Sequence, residues 1–287
     1  MTENMIENET ATPKHYPDIK QTVVLLFSFW LIALILTIIS VFIFPKFKKN
    51  DILGAIAIEI ITSLVVLLWG SKKTKKPFRK IFPFYSFNVN IILPIILIIV
   101  GFGVILSEID NITRWLLPMP KFLGEIFLDL LRGKQAFFPI VIVAPFMEEL
   151  LFRGLILGGF LTHYTVKKAI IASAVIFALF HLIPYQFFSG FFVGIFLGWL
   201  FFKTNSLIPC IFAHALFNLG SWLCLNLIKI DIPGFSHSNS NYDLSIVQFQ
   251  PLWFDLCGLT IFLIGIYLLN AILKKKGGLT KWRKADV

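Results

Sequence analysis

Residues 138–161 read FPIVIVAPFMEELLFRGLILGGFL, and the fold of the whole chain turns on how this stretch is read. At 1.5 Å per residue it is long enough to cross a bilayer core about 30 Å thick. Near its centre, however, stand Glu148, Glu149 and Arg153. An ionisable side chain at the middle of a span costs about 2.5–3.5 kcal/mol on insertion scales, so such groups are functional candidates by default.

The rest of the sequence supports a membrane setting. Of 287 residues, 57% are hydrophobic and only 15% charged, and the mean hydropathy is +0.83. No soluble domain hides that much apolar surface, and 32 Phe suit an interior that meets lipid chains. A disordered scaffold, a nucleic-acid binder and a secreted disulfide module are excluded. Cys210, Cys224 and Cys257 lie in apolar runs without a metal-binding spacing.

Working outward from 138–161, apolar runs at 22–44, 52–70, 90–107, 169–183, 187–202, 207–230 and 252–273 bring the expected spans to eight. The fold class is therefore all-α: a polytopic integral membrane protein whose helices surround an intramembrane polar chamber. The first run is too long, and its leader too acidic, for a signal peptide. With eight spans, seventeen Lys and Arg fall on the side of the termini and eight on the other, so both termini are expected in the cytoplasm of a multi-pass cell-membrane protein. The formal charge of +10 is then a record of topology. Four segments follow: a cytoplasmic tail at 1–21, spans with an amphipathic connection at 22–137, a core at 138–230 that holds the ionisable residues, and an external loop, last span and basic tail at 231–287. The connection at 108–137 reads as an amphipathic surface helix, and the polar loop at 231–250 as a flexible one.

Helical spacing assigns directions to the polar groups. Glu149 and Arg153 are four apart, share a face and can pair, which lowers the cost of burying both. Glu148 points about 100° away from Glu149 and is free to face another helix. His214 and Asn218, also four apart, could both donate to one developing oxyanion, and His181, just before Pro184, could share a water with Glu148. Singly, the Glu–Arg pair is as readily a packing device as a catalyst, a lone His is more often a hydrogen-bonded helix linker, and a lone Asn is usually interhelical glue. Unpaired, together, they would cost on the order of 10 kcal/mol, which favours one shared chamber. Glu59 stands mid-span without a helical partner and reads as a neutral structural group or a wall of that chamber. Gly154 and Gly158, and Gly190, Gly194 and Gly198, read as close helix packing.

The series Glu148-Glu149-x-x-x-Arg153, Phe177-x-x-x-His181 and His214-x-x-x-Asn218 resembles the CPBP family of intramembrane proteases, which includes the Ras-converting CAAX prenyl endopeptidases and the Abi-type bacteriocin-immunity proteins. The likeness spans about residues 138–228. It implies peptide-bond hydrolysis within the membrane, on a membrane-bound or lipidated peptide substrate. In this likeness Glu148 is the general base, His181 its partner, and His214 with Asn218 the oxyanion hole. A zinc reading remains beside it, with Glu148, His181 and His214 as a His₂Glu site. The metal-free mechanism without cofactor is preferred, since no H-E-x-x-H helix is present and zinc would take a ligand from the oxyanion hole. A non-enzymatic immunity or scaffold protein is the alternative from another class. A transporter is weaker, because no inverted repeat is visible.

Overall fold

The computed structural model describes residues 16–43, 52–228, 230–236 and 243–274. The expectations placed on the outer part of the N-terminal tail, on residues 46–49, on Lys229 and on the tail beyond Lys274 lie outside the described residues.

The described chain is helical, and its principal helices are α1 (Ile19–Ile43), α2 (Ile52–Thr74), α3 (Ile92–Leu116), α4 (Lys121–Leu131), α5 (138–163), α6 (Val166–Phe180), α7 (Phe187–Thr204), α8 (Ile208–Asn226) and α9 (Leu252–Lys274). In lipid every backbone N–H and C=O must be satisfied internally, which leaves the helix as the local solution for runs this apolar. Among the described residues six helices are long and apolar enough to cross a membrane. The other two expected spans are present in altered form. One is α5, which alternates π and α turns, and the other is α6, which has only 15 residues.

Local chemistry sets the ends. Asp18 and Gln21 close a reciprocal box at the start of α1, Gln21 N donating to Asp18 Oδ1 (2.8 Å) and Asp18 N to Gln21 Oε1 (3.0 Å). Asn205, left-handed at φ 48°, stops α7. Two boundaries differ from the sequence reading. The third span runs on to Leu116 because Arg114 pairs with Asp110 at 3.0 Å one turn back, so the charges continue the helix instead of ending it. The fifth ends at Phe180, before the expected 183, because Leu182 turns left-handed at φ 57° and Pro184 follows.

The polar loop after α8 is also corrected: its described parts are tied to α3. Asn111 Nδ2 donates to Gly234 O (2.9 Å), Arg114 Nη1 to Leu244 O (2.9 Å) and Gln250 N to Glu108 Oε2 (3.0 Å). The amphipathic connection is α4, which sets Phe122, Leu123, Ile126 and Leu130 outward.

The connections sort onto two faces. On one, Leu207 N donates to Pro83 O (2.8 Å), Ser206 Oγ to Tyr85 O (2.7 Å), and Gly159 packs on Pro17. On the other, Tyr185 OH donates to Pro118 O (3.1 Å), and Asn226 Nδ2 to Leu131 O (3.2 Å). The loop carrying Lys72 to Lys80 belongs to the first face, with Lys167, Lys168 and Lys203. Among these helices α5 is central: every residue from Leu150 to Leu157 is buried, and α2, α6, α7 and α8 all pack on it.

Glycine does its work at close approaches. A Cβ on Gly194 of α7 would lie 3.0 Å from Ala174 Cα of α6, so the missing side chain lets these helices meet. In α3 a Cβ on Gly101 would sit 2.6 Å from Gly258 O of α9, whereas one on Gly103 meets nothing within 4 Å. Gly101→Ala should therefore destabilise the detergent-solubilised protein by roughly 1–3 kcal/mol in a thermal melt. Gly103→Ala, which gains helix propensity at no steric cost, should be neutral or stabilising. Equal effects at the two positions would show that the α3–α9 contact is not as described.

Candidate active site

Pro139 and Pro145 lie in the first half of α5, and they explain its irregular winding. In the opening π segment, Phe138–Val143, Ala144 N donates to Pro139 O. In that register the carbonyl of Ile140 would look to residue 145, and proline there has no N–H. Asn218 of α8 supplies the missing donor, with Nδ2 at 2.9 Å from Ile140 O. The proline thus creates an orphan acceptor, and a side chain from another helix satisfies it.

One turn further on, the chain places Glu148 and Glu149 on different sides of α5. Glu149 is fully buried. Its Oε1 accepts from Arg153 Nη1 at 2.8 Å and lies 2.8 Å from His214 Nδ1 of α8. Arg153 is buried too; Nη2 reaches Gly194 O at 3.4 Å, and its guanidinium lies over the Phe177 ring at 4.6 Å. Arg153 is thus held by a carboxylate, a backbone carbonyl and an aromatic face on three helices. Removing one partner of so buried a pair costs about 3–5 kcal/mol, because the other charge is stranded.

Glu148 is oriented differently. Its side chain is 18% exposed, Oε2 has no hydrogen-bond partner, and the nearest base is His214, whose Nε2 stands 3.9 Å away. The carboxylate faces a cavity of about 680 Å³ between α1, α2, α5 and the end of α6. Glu59 and His181 share this cavity, with Ser63 and Gln186 and an aromatic wall that includes Phe29, Trp30 and Phe180. Phe180 stacks against both Phe29 and Trp30, which stiffens that wall.

His181 sits just past the last turn of α6, with Nδ1 2.9 Å from Phe177 O. A carbonyl only accepts, so Nδ1 carries the hydrogen and the neutral ring presents its Nε2 lone pair elsewhere. The same logic puts a hydrogen on His214 Nδ1, which faces the Glu149 carboxylate. Leu182, left-handed although it has a side chain, follows His181 directly and fixes where the helix releases it.

The structure therefore gathers Glu148, Glu149, Arg153 and His214 in contact, sets Asn218 one turn further along on the same helix pair, and brings His181 to the Glu148 cavity. Two contacts were not legible in the spacing: His214 Nδ1 on Glu149, and Asn218 on the Ile140 carbonyl. The second had a signal in Pro145. Among the described residues no three His, Cys, Asp or Glu side chains form a group that could hold a metal ion.

The account of Asn218 is testable by a double-mutant cycle. Asn218→Ala should cost roughly 1–3 kcal/mol by leaving a part-buried carbonyl unsatisfied. In a Pro145→Ala background, where residue 145 regains an N–H, it should cost clearly less. Additive effects in thermal unfolding would show that the two residues do not serve one carbonyl.

Neither a curated protein nor a solved structure matches the chain. Residues 134–220, the segment from the end of the amphipathic connection to the middle of α8, match the family described as type II CAAX prenyl endopeptidase, Rce1-like. That segment contains all six polar residues of the series, and over it the chain is similar to the type II CAAX prenyl endopeptidases.

Proposed function

We propose that this protein is an intramembrane endopeptidase whose Glu148 activates a water for attack on a peptide bond of a membrane-bound or lipidated substrate. The observation that carries the reading is Glu148 itself: a carboxylate with a buried, unpartnered oxygen, facing a cavity beside two imidazoles. Its neighbour Glu149 is committed to Arg153 and His214 and serves as framework.

In this reading a water held between Glu148 and the Nε2 lone pair of His181 gives its proton to Glu148 as its oxygen attacks the carbonyl carbon. The developing oxyanion is met from α8. Asn218 uses one amide hydrogen on Ile140 O and has a second to donate. His214, with Nδ1 donating to Glu149, contributes a second donor when Nε2 also carries a hydrogen, which is the imidazolium form. The aromatic wall of Phe29, Trp30 and Phe180 offers an apolar berth for a prenyl or other lipid chain next to the carboxylate. The excess of Lys and Arg on the face that carries residues 72–80 orients that face, and both termini, toward the cytoplasm.

The test is cleavage of a farnesylated CAAX peptide and its unprenylated twin by purified protein, with and without a zinc chelator. Wild type should cut the farnesylated peptide in the presence of chelator. Glu148→Gln should lower kcat at least 100-fold while leaving the thermal melt unchanged. Turnover retained in Glu148→Gln removes the proposed base, and chelator-sensitive activity restored by zinc moves the chemistry to a metal. Cleavage of neither peptide by folded wild type would favour another substrate or a binding role.

A further inference from the structure

Among the described residues Glu59, on α2, is the one carboxylate at this cavity that lies outside the matched segment 134–220, and no role follows for it from the series of motifs. We propose that Glu59 and Glu148 hold one proton between them, and that Glu59 is the acid that protonates the leaving amine. This rests on the reading of Glu148 as the base.

The argument is an inventory of charges and protons. Of the described residues lining the cavity, three can titrate: Glu59, Glu148 and His181; the other polar lining groups are hydroxyls such as Ser63 and the amide of Gln186. Among the described residues no Lys or Arg lines it and none forms an ion pair with Glu59. Arg153, the cation on α5, is committed to Glu149 on the far side of that helix. The nearest group that can become a cation, His214, stands 3.9 Å from Glu148 and not at Glu59; two carboxylates facing one apolar cavity cannot then both carry charge at low cost, and Glu59 is the one that keeps its proton.

Amide hydrolysis also needs a donor, because an amine leaves only when its nitrogen is protonated. His181 is poorly suited, since its Nδ1 hydrogen is engaged by Phe177 O and its Nε2 presents a lone pair. His214 does not line the cavity. Glu59 is left, on the helix across the cavity from Glu148.

The step balances. Water oxygen bonds to the carbonyl carbon while one of its protons passes to Glu148. The C–N bond then breaks as the nitrogen takes the proton of Glu59. The enzyme is left with Glu148 protonated and Glu59 ionised, and transfer of that proton across the cavity restores the starting state.

Two measurements on the full-length protein test this. The first compares the farnesylated peptide with an analogue in which the scissile amide is a thioester, whose thiolate leaves without a proton. Glu59→Gln should lower amide cleavage about 100-fold or more but thioester cleavage less than tenfold, whereas Glu148→Gln should abolish both. The second needs no turnover: at neutral pH the infrared spectrum of wild type should contain a protonated-carboxyl C=O stretch that Glu59→Gln lacks. Equal loss of both substrates in Glu59→Gln, or no loss, overturns the donor role. An unchanged carboxyl band overturns the shared proton. Retained cleavage in Glu148→Gln with the band lost in Glu59→Gln overturns the base and leaves the shared proton standing.

Discussion

Everything at the centre of this protein depends on the Glu149–Arg153 pair. Two full charges are taken out of contact with solvent in the middle of a helical bundle, 2.8 Å apart and four residues apart on one helix. Neither would be tolerated alone. Once paired they anchor the neighbouring helices: α8 through His214, α7 through the Gly194 carbonyl and α6 through the ring of Phe177. Gly194 has to be glycine for two related reasons. Its missing side chain lets α7 lie against Ala174 of α6, and that proximity brings its carbonyl within reach of the guanidinium.

This arrangement separates two adjacent carboxylates into different tasks. Glu149 is committed through Oε1 to a cation and an imidazole, while Glu148, one residue earlier and turned to the other side, faces a cavity. The separation needs only the 100° step of a helix. Its refinement needs more. Proline at 145 and the π turns on either side of the Glu pair wind α5 away from a regular helix, and Asn218 repays the carbonyl that the proline leaves bare. The irregular backbone at Leu150–Leu157 is tolerated because every residue there is buried in protein.

The match to the CAAX endopeptidase family covers the segment that holds these groups and stops short of the rest of the bundle. Yet more than half of the residues lining the cavity come from α1 and α2, which lie outside it. Phe29 and Trp30 line the apolar wall and Glu59 adds a second carboxylate, so the region with the least recognisable sequence shapes what the chamber can hold.

Much of this was legible in the order of residues. Apolar runs near the length of a bilayer predict helices, and the energetic cost of burying Glu148, Glu149, Arg153, His181, His214 and Asn218 singles them out, because both are properties of local composition. Spacing also predicts that Glu149 can meet Arg153, since a four-residue interval on a helix is a fixed distance. The extension of α3 past its charges, the early end of α6 and the anchoring of the polar loop were not legible, because Arg114 and Asn111 find their partners through packing. The same holds at the site. That His214 turns to Glu149, that Asn218 answers Ile140, and that Glu59 shares a cavity with Glu148 are juxtapositions of side chains 65, 78 and 89 residues apart. Sequence alone determined which groups the membrane must accommodate; only the tertiary structure decided which of them meet, because a helix sets the direction of a side chain and its neighbours set the partner.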